Sequence, residues 1–294
     1  MINILVTGSK GQLGSEIKEL STNFSNYHFY FTDIDTLDLT DIVKLKAFFN
    51  NNHIDFIINC AAYTAVDKAE TDRLKAEQIN VATVNNLVKL ASNFKIKFIH
   101  ISTDFVFDGT ANTPYTELDN TNPLSIYGQT KLRSETEAKR YTHSITIRTS
   151  WLYSTYGANF VKTMIRLAGE REEISVVADQ IGTPTYAKDL AKVILHIISY
   201  EDFIPGLYHY SNEGTASWYD FAQEIITQTE MNCIVKPIET KEYPTPAKRP
   251  PYSVLDKSKI KSTFNIEIPN WKESLTECLN QLKAESKPES KSHK

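Results

Sequence analysis

The chain has 294 residues, of which 41% are hydrophobic and 23% charged, a balance typical of globular proteins. Its formal net charge is −4 and its pI about 6.0, so there is no electrostatic basis for binding nucleic acid or a membrane surface. The three cysteines show no metal-ligand spacing, which favours free thiols in a reducing compartment. No apolar run approaches the ~20 residues of a membrane span, and the strand-like run after Met1 leaves no room for a signal peptide. We therefore expect a cytoplasmic protein.

A glycine-rich turn follows the first predicted strand. Residues 2–6 form a short apolar run, as in a buried parallel strand, and a helical pattern begins at Ser15. Between them, Gly8, Gly11 and Gly14 are spaced G-x-x-G-x-x-G. Such a turn between a strand and a helix binds phosphate, because glycines let the backbone approach and the helix N-terminus favours an anion. A plain tight turn is the alternative, and the position directly after the first strand disfavours it.

An acidic residue closes the second predicted strand, residues 28–32. Asp33 follows the glycine turn by about 20 residues, the distance at which an acid accepts hydrogen bonds from an adenosine ribose. This carboxylate favours NADH, whereas Lys10 in the glycine turn is a cation that tolerates a 2′-phosphate, so NADH and NADPH both stay open. Asp38 either borders the adenine pocket or caps the helix predicted over 42–51.

Strands three and four end at the same sheet edge. The third strand, 55–59, runs into a small-residue loop around Ala62, where a ligand would lie against the backbone. Close packing without any ligand explains the alanines equally well. A helix is predicted over 71–93 with a break near Ile79. The fourth strand runs into Thr103, whose hydroxyl either holds a substrate carbonyl or forms a turn.

Tyr127 and Lys131 begin a predicted helix that Pro123 precedes. Residues four apart lie on one helical face, so the phenol and the ammonium address one ligand. A free phenol has a pKa of about 10. We expect the nearby cation to lower that pKa towards neutrality. Such a pair is also common on solvated helix faces, and it gains weight from the glycine turn and Thr103 at the same edge.

Strand–helix alternation through a fifth strand at 145–148 implies a parallel sheet with right-handed crossovers. We therefore predict an α/β fold: a Rossmann-like, doubly wound parallel sheet with a smaller, partly interleaved C-terminal substrate lobe. The predicted divisions are a nucleotide-binding domain over 1–150 to which 186–212 returns, a substrate lobe formed by 151–185 and 213–283, and a disordered tail over 284–294.

The pattern loosens beyond Trp151. The predicted elements are helices over 159–168, 188–199 and 218–229, strands over 174–177 and 207–210, and an irregular loop over 179–185. A proline-rich loop then carries Lys248 and Arg249. These cations suit a nucleotide-linked substrate, with solvated loop charge as the alternative.

Further segments strengthen this interpretation and resemble the extended short-chain dehydrogenase/reductases, in particular the dTDP-4-dehydrorhamnose reductase family. Beside the glycine turn and Tyr127-x-x-x-Lys131, they are residues 59–70, 102–107, 148–151, 179–185 and 243–250. They cover nearly the whole chain to about residue 282. The resemblance implies reduction by NADPH or NADH of the C4 ketone of dTDP-4-dehydro-β-L-rhamnose, which yields dTDP-L-rhamnose.

The resemblance also implies residue roles. Tyr127 would protonate the developing alkoxide, Lys131 would bond the nicotinamide ribose and support that transfer, and Thr103 would position the carbonyl oxygen. The residues implied to contact the cofactor, besides the glycines, are Gln12, Leu13, Asp33, Asp38, Leu39, Ala62, Tyr63, Thr64, Tyr127 and Lys131. Those implied to contact the sugar nucleotide are Thr103, Asp104 and Trp151, to which the cationic loop adds Arg249.

Assembly and metal binding depart from the family pattern. Some members form dimers in which clustered glutamates bind Mg²⁺. Glu16 matches the first glutamate, but Lys188 stands where a second would be expected, and a cation cannot be a metal ligand. We therefore expect no metal site, and either a monomer or a homodimer.

Two other functions compete. A sugar-nucleotide 4,6-dehydratase of the same superfamily would call for a glutamate after Asp104, where Phe105 stands, whereas an epimerase is not excluded by the residues. A non-catalytic NADP-binding regulatory subunit belongs to another class. The presence of Tyr127, Lys131 and Thr103 favours a catalytic protein over a regulatory subunit.

Overall fold

A six-stranded parallel sheet forms the centre of the computed structural model, which describes residues 1–286. In spatial order its strands are β10 (Gly206–His209), β5 (Ser144–Thr149), β4 (Lys97–Thr103), β3 (Phe56–Asn59), β1 (Ile2–Thr7) and β2 (Tyr27–Thr32). The order reverses at β1, which has β2 on one side and β3 on the other. In open α/β sheets this reversal leaves a crevice at the carboxyl ends of the strands.

The helices follow the alternation expected from the sequence. They are α1 (Gln12–Leu20), α2 (Ile42–Asn51), α3 (Val66–Ala69), α4 (Arg73–Glu77), α5 (Thr83–Phe94), α6 (Ile126–Lys139), α7 (Phe160–Glu170), α8 (Ala187–Ser199), α9 (Trp218–Thr229), α10 (Ser258–Phe264) and α11 (Trp271–Ser286). No helix in the described part of the chain combines the length and apolarity that crossing a bilayer requires.

Two apolar cores cover the two faces of the sheet. On one face, Ile17 of α1 and Leu190 of α8 pack with Phe264 of α10. On the other, Leu45 of α2 packs with Leu87 of α5. Burial on both faces explains why β3 and β5 are buried at every residue, including the polar Thr146 and Arg148 of β5.

The second core, distinct from the packing on the two faces of the sheet, lies beyond the sheet between α7, α9 and α11. Its central side chains include Val161, Phe221 and Leu275. Three two-stranded pairings surround it: β6 (Leu152–Tyr153) with β9 (Thr185–Tyr186), β7 (Glu173–Val177) with β12 (Ile234–Ile238), and β8 (Ile181–Gly182) with β11 (Ala216–Ser217).

The structure differs from the predicted elements in several places. Helix α1 begins at Gln12 rather than Ser15, directly after the glycine turn. Strand β12 and helix α11 were not predicted, because β12 contains a proline and α11 is mostly polar outside its buried stripe. The predicted tail over 284–294 is helical as far as Ser286, since α11 continues past Leu282, and residues 287–294 lie outside the described chain.

Candidate active site

A cleft of about 900 Å³ opens at the carboxyl edge of the sheet, at the crevice beside β1. The cleft brings together nearly all the residues that the sequence singled out. Those lining it are Gly8, Gly11, Gln12, Leu13, Gly14, Asp33, Asp38, Leu39, Ala62, Thr64, Thr103, Asp104, Tyr127, Lys131, Trp151 and Arg249. Tyr63 is the exception.

The glycine turn leaves space that side chains would fill. Gly8 has φ +63°, and a Cβ there would lie 2.7 Å from the backbone nitrogen of Ala61. At Gly14, a Cβ would lie 2.5 Å from the carbonyl oxygen of Gly8. The first turn of α1 begins at Gln12, and the N–H groups of a first turn lack partners within their helix. The backbone therefore fits the phosphates of a dinucleotide.

Asp33 lies at the end of β2 with its carboxylate fixed by the backbone. Its Oδ2 accepts from the Lys10 N–H at 2.9 Å, and its Oδ1 accepts from the Ile34 N–H at 2.9 Å. The Lys10 ammonium donates to Asp35 at 2.5 Å, on the surface. Asp33 thus faces the cleft as an acceptor for ribose hydroxyls, while the nearest cation pairs with another carboxylate.

The helix-capping alternative for Asp38 is wrong. The carboxylate of Asp41, rather than that of Asp38, accepts from Val43 and Lys44 at the start of α2, both at 3.1 Å. Asp38 lines the cleft and accepts from the Thr40 N–H at 2.8 Å. Its position favours the pocket over the cap.

The Tyr63 side chain does not reach the cleft. Its hydroxyl donates to Asp72 at 3.3 Å, and the ring packs in a small apolar cluster behind the loop. Asn80 holds the Tyr63 backbone, with hydrogen bonds of 2.8 Å to the N–H and 3.2 Å to the carbonyl. The neighbours Ala62 and Thr64 line the cleft instead.

Helix α6 presents Tyr127 and Lys131 to the cleft. Ser125 caps the helix, its hydroxyl oxygen accepting from the Gly128 N–H at 3.2 Å. Lys131 is only 2% exposed, and its ammonium donates to the Ile101 carbonyl on β4 at 2.6 Å. Burial lowers the pKa of Lys131 to about 8, although the Glu135 carboxylate opposes that shift.

The expected lowering of the Tyr127 pKa was wrong. Burial raises the pKa of Tyr127 to about 12, and the charge of Asp104 raises it further, while a hydrogen bond from Thr103 acts in the opposite direction. Desolvation is the largest cause of this shift. A phenol with this pKa stays protonated at neutral pH, so it is suited to donate a proton to an oxygen whose negative charge develops beside it.

Thr103 and Asp104 lie beside the phenol at the end of β4. The Thr103 hydroxyl donates to Asp104 Oδ1 at 3.0 Å and accepts from the Phe105 N–H at 3.2 Å. Asp104 is 2% exposed, and its Oδ2 has no hydrogen-bond partner among the described residues. Burial raises the pKa of Asp104 to about 6, although hydroxyls of Ser253 and Thr103 stabilise the charge.

Arg249 reaches the cleft from the proline-rich loop, but its guanidinium already has a partner. It pairs in a bidentate manner with Asp67, at 3.1 and 2.7 Å, and also donates to the loop oxygens of Thr245 and Ala247. The side chain therefore ties the loop to α3 while lining the cleft.

Several cleft residues were not found from the sequence. They include Ser102, Thr149, Ser150, Asn159 and Trp218. Ser102, Thr149 and Ser150 lie at the ends of β4 and β5, beside residues that were singled out. Their position at these strand ends is the feature by which the sequence could have identified them. Trp218 begins α9, far along the chain from Trp151, and no spacing in the sequence connects the two.

Glu16 and Lys188 lie outside the cleft. Glu16 is buried and accepts from the Ser154 hydroxyl at 2.5 Å. Lys188 pairs with Glu19 at 3.0 Å and donates to Gln281 at 3.1 Å. Within residues 1–286, no group of three or more histidine, cysteine, aspartate or glutamate side chains is arranged to hold a metal ion.

The parallel sheet, the glycine turn at its reversal point and the Tyr127–Lys131 pair define a Rossmann-type protein of the extended short-chain dehydrogenase/reductase class. Its fold is shared at 18% identity and a TM-score of 0.81 by a dTDP-glucose 4,6-dehydratase of Bacillus anthracis, solved in complex with NAD. The chain itself belongs to the dTDP-4-dehydrorhamnose reductase family, and residues 2–284 match the family model described as the RmlD substrate binding domain.

The relatives extend over nearly the full chain. A dTDP-4-dehydrorhamnose reductase of Aggregatibacter actinomycetemcomitans is 40% identical, over 94% of this chain and 97% of that protein. A crystal structure of such a reductase from Clostridium acetobutylicum is 43% identical, with a TM-score of 0.92 over 96% of this chain and all of its own. One from Bacillus anthracis, in complex with NADP, is 40% identical, with the same TM-score and coverage. The family predicted from the sequence is confirmed.

Proposed function

We propose that the protein is an oxidoreductase that reduces the C4 ketone of dTDP-4-dehydro-β-L-rhamnose to the hydroxyl of dTDP-L-rhamnose. The observation that carries this proposal is the convergence of Tyr127, Lys131 and Thr103 on a cleft whose other end is a glycine cradle. A ketone held beside Tyr127 would lie between a proton donor and the cofactor end of the cleft.

The chain supplies binding, orientation and a proton. The Thr103 hydroxyl lies beside the Tyr127 phenol and would turn from Asp104 to donate to the substrate carbonyl oxygen, which fixes that oxygen next to the proton donor. Tyr127, protonated because its pKa is about 12, would transfer its proton as the oxygen becomes an alkoxide. The charged Lys131 ammonium would stabilise the phenolate left behind.

NADPH or NADH fits the other end of the cleft and, when bound, supplies the hydride. The turn of Gly8, Gly11 and Gly14 with Gln12 and Leu13 would hold the pyrophosphate. Asp33, Asp38 and Leu39 would border the adenosine, with Ala62 and Thr64 along the cleft wall and Lys131 at the nicotinamide ribose. Asp33 favours NADH, whereas the Lys10 ammonium would accept a 2′-phosphate by leaving Asp35 on the surface, so both cofactors stay open.

The sugar nucleotide would occupy the end of the cleft formed by Asp104, Trp151 and Arg249. We assign 1–150 with 186–212 to cofactor binding, and 151–185 with 213–283 to the substrate lobe. The slightly acidic charge argues against nucleic-acid or membrane partners. We further propose a cytoplasmic enzyme that works as a monomer or homodimer.

The direct test couples dTDP-glucose, a dehydratase and a 3,5-epimerase to this protein and follows the absorbance of reduced nicotinamide. We expect consumption of NADPH or NADH only when all components are present. If neither cofactor is consumed while dTDP-4-dehydrorhamnose accumulates, the proposal is wrong.

The proton donor is tested by Tyr127→Phe, which removes the hydroxyl and keeps the ring. We expect turnover to fall by about 10²-fold or more, the usual effect of losing a positioned acid, with cofactor affinity changed by less than about threefold. Tyr115→Phe is the matched control, because Tyr115 stacks on Phe107 outside this cleft. Wild-type turnover in Tyr127→Phe would exclude the donor role.

A further inference from the structure

The substrate end of the cleft contains two tryptophans stacked face to face. The ring centroids of Trp151 and Trp218 are 3.6 Å apart and their planes differ by 8°. Both side chains line the cleft and both are partly exposed there. Trp151 follows β5 of the central sheet, whereas Trp218 begins α9, so the stack joins the sheet edge to the second core.

The backbone at Trp151 is unusual. Its φ is +45°, in the left-handed region that bulky residues rarely adopt. A strained conformation persists only when its surroundings determine it, and such conformations cluster at functional sites. Here the Trp151 carbonyl accepts from the Thr185 N–H at 3.1 Å, and the neighbouring Ser150 hydroxyl donates to Thr183 at 2.7 Å. The loop over 179–185 therefore holds the strained residue.

The same loop contains a glycine that makes room for the indole. A Cβ at Gly182 would lie 2.7 Å from Cε2 of Trp151, so any side chain there would displace the ring. Gly182 belongs to β8, which pairs with β11, and β11 leads directly into Trp218. One short strand pair thus places both the surface beneath Trp151 and the ring stacked on it.

Trp218 is itself firmly anchored. It packs on Phe160 of α7 at 4.8 Å between centroids, and Phe221 on the next turn belongs to the second core. The start of α9 is fixed by a capping box between Ser217 and Asp220. An anchored ring of this kind restricts the ring stacked against it, because aromatic pairs prefer defined geometries.

We propose that Trp218 is a positioning residue: with Gly182, it holds the Trp151 indole in the orientation in which that indole meets the sugar nucleotide. This inference rests on the proposed function. Trp218 acts through Trp151, and its removal frees the indole to turn away from the cleft. The consequence is weaker binding and poorer alignment of the sugar, without an effect at the cofactor end.

The stack has a spectroscopic signature that does not depend on activity. Two indoles at this distance couple and give an exciton couplet in the far-ultraviolet circular dichroism spectrum. We expect the couplet in the wild type, its loss in Trp151→Phe and Trp218→Phe, and its weakening in Gly182→Ala. Trp271→Phe is the matched control and keeps the couplet, because Trp271 is not one of the two stacked rings, although it packs on Phe221 in the same core.

Binding is measured by calorimetry with dTDP-L-rhamnose and, separately, with NADPH. We expect Trp218→Ala and Gly182→Ala to weaken dTDP-L-rhamnose binding by about tenfold, to lower kcat as well, and to leave the NADPH Kd within about twofold. Trp218→Phe recovers most of the sugar-nucleotide affinity, because a stacking ring remains.

Two outcomes overturn the proposal. One is unchanged dTDP-L-rhamnose affinity in both Trp218→Ala and Gly182→Ala when their couplets are lost or weakened. The other is equal weakening of NADPH and dTDP-L-rhamnose binding, which indicates general loss of packing. A wild-type protein that binds dTDP-L-rhamnose but never oxidises the cofactor contradicts the proposed function alone, since the affinities of the variants still test the positioning role.

Discussion

Asp104 and Glu16 are both buried carboxyl groups, and burial raises their pKa values to about 6 and about 7. They differ in location. Asp104 lines the cleft beside Tyr127, whereas Glu16 lies on α1 and bonds to Ser154 outside it. A buried acid with a raised pKa destabilises the folded protein when ionised. Such a cost at Asp104 is consistent with a group retained for its chemistry.

We predict that Asp104→Asn stabilises the protein in a pH-dependent way. The folded-state pKa lies above the ordinary 3.8, so the unfolded chain ionises first as pH rises. The cost is therefore absent below about pH 4 and complete above about pH 6. We expect Asp104→Asn to raise the free energy of unfolding by up to about 3 kcal/mol at about pH 8, because the pKa of Asp104 differs by roughly two between the folded and unfolded chain. At about pH 4 we expect almost no change. Denaturant melts at the two pH values measure this.

Activity separates the two acids. We expect Asp104→Asn to lose reductase turnover by about tenfold or more, because the Asp104 carboxylate accepts from the Thr103 hydroxyl beside Tyr127 and a neutral amide holds that hydroxyl less strongly. Glu16→Gln, the matched control, gains stability above about pH 7 and keeps its turnover. Equal stabilisation of Asp104→Asn at both pH values would contradict the electrostatic explanation.

At the scale of elements, an irregular helical turn positions the small-residue loop around Ala62. A π-helical turn, Gln78–Ala82, separates α4 from α5, where the sequence predicted a break near Ile79. Asn80 in that turn is 1% exposed. It bonds both backbone groups of Tyr63 and donates to the Thr130 hydroxyl on α6 at 3.0 Å. The turn thus connects the loop before α3 to the helix that carries Tyr127 and Lys131.

We predict that Asn80→Ala destabilises the protein by about 2 to 4 kcal/mol, because it leaves the backbone N–H and carbonyl of Tyr63 without their partner. We also expect the cofactor Kd to rise about tenfold, since Ala62 and Thr64 flank the released residue. Thermal melts and calorimetry measure the two effects. Asn80→Asp keeps the acceptor for the Tyr63 N–H, so its stability and its cofactor Kd should fall between those of the wild type and of Asn80→Ala. Loss of stability with full cofactor affinity would show that the loop does not depend on this turn.

Much of this architecture can be predicted from the sequence. The features that cannot be predicted all depend on contacts between segments far apart in the chain. The strands ending at Thr7, Asn59 and Thr103 were found because apolar runs and glycine spacing are local signals. The pKa of Tyr127 and the partner of Arg249 were not, because burial and pairing are set by segments far apart in the chain. The same holds for the Trp151–Trp218 stack, which exists only once β8 pairs with β11.

At the scale of the whole molecule, the proline-rich loop reaches α3 and lines the cleft through Arg249. Arg249 and the Ala247 N–H both bond Asp67 on α3, so this late segment of the chain is tied to the segment that follows β3. The pair is partly exposed, at 23% for Arg249 and 40% for Asp67. Exposed pairs contribute little stability, about 0 to 1 kcal/mol. The main effect of this pair is on the position of the loop rather than on stability, because a bidentate pair fixes the orientation of both partners.

We predict that Arg249→Lys, which cannot form the bidentate pair, raises the KM for dTDP-4-dehydrorhamnose by about five- to tenfold and changes the free energy of unfolding by less than about 1 kcal/mol. Steady-state kinetics and denaturant melts measure this. Asp67→Asn should raise KM by a similar factor, and the double variant should be no worse than either, because one interaction is removed once. Arg166→Lys, in the exposed pair with Glu170 on α7, is the matched control. If Arg249→Lys raises KM while Asp67→Asn does not, the guanidinium contacts the nucleotide sugar directly, and the loop tie is not what sets affinity.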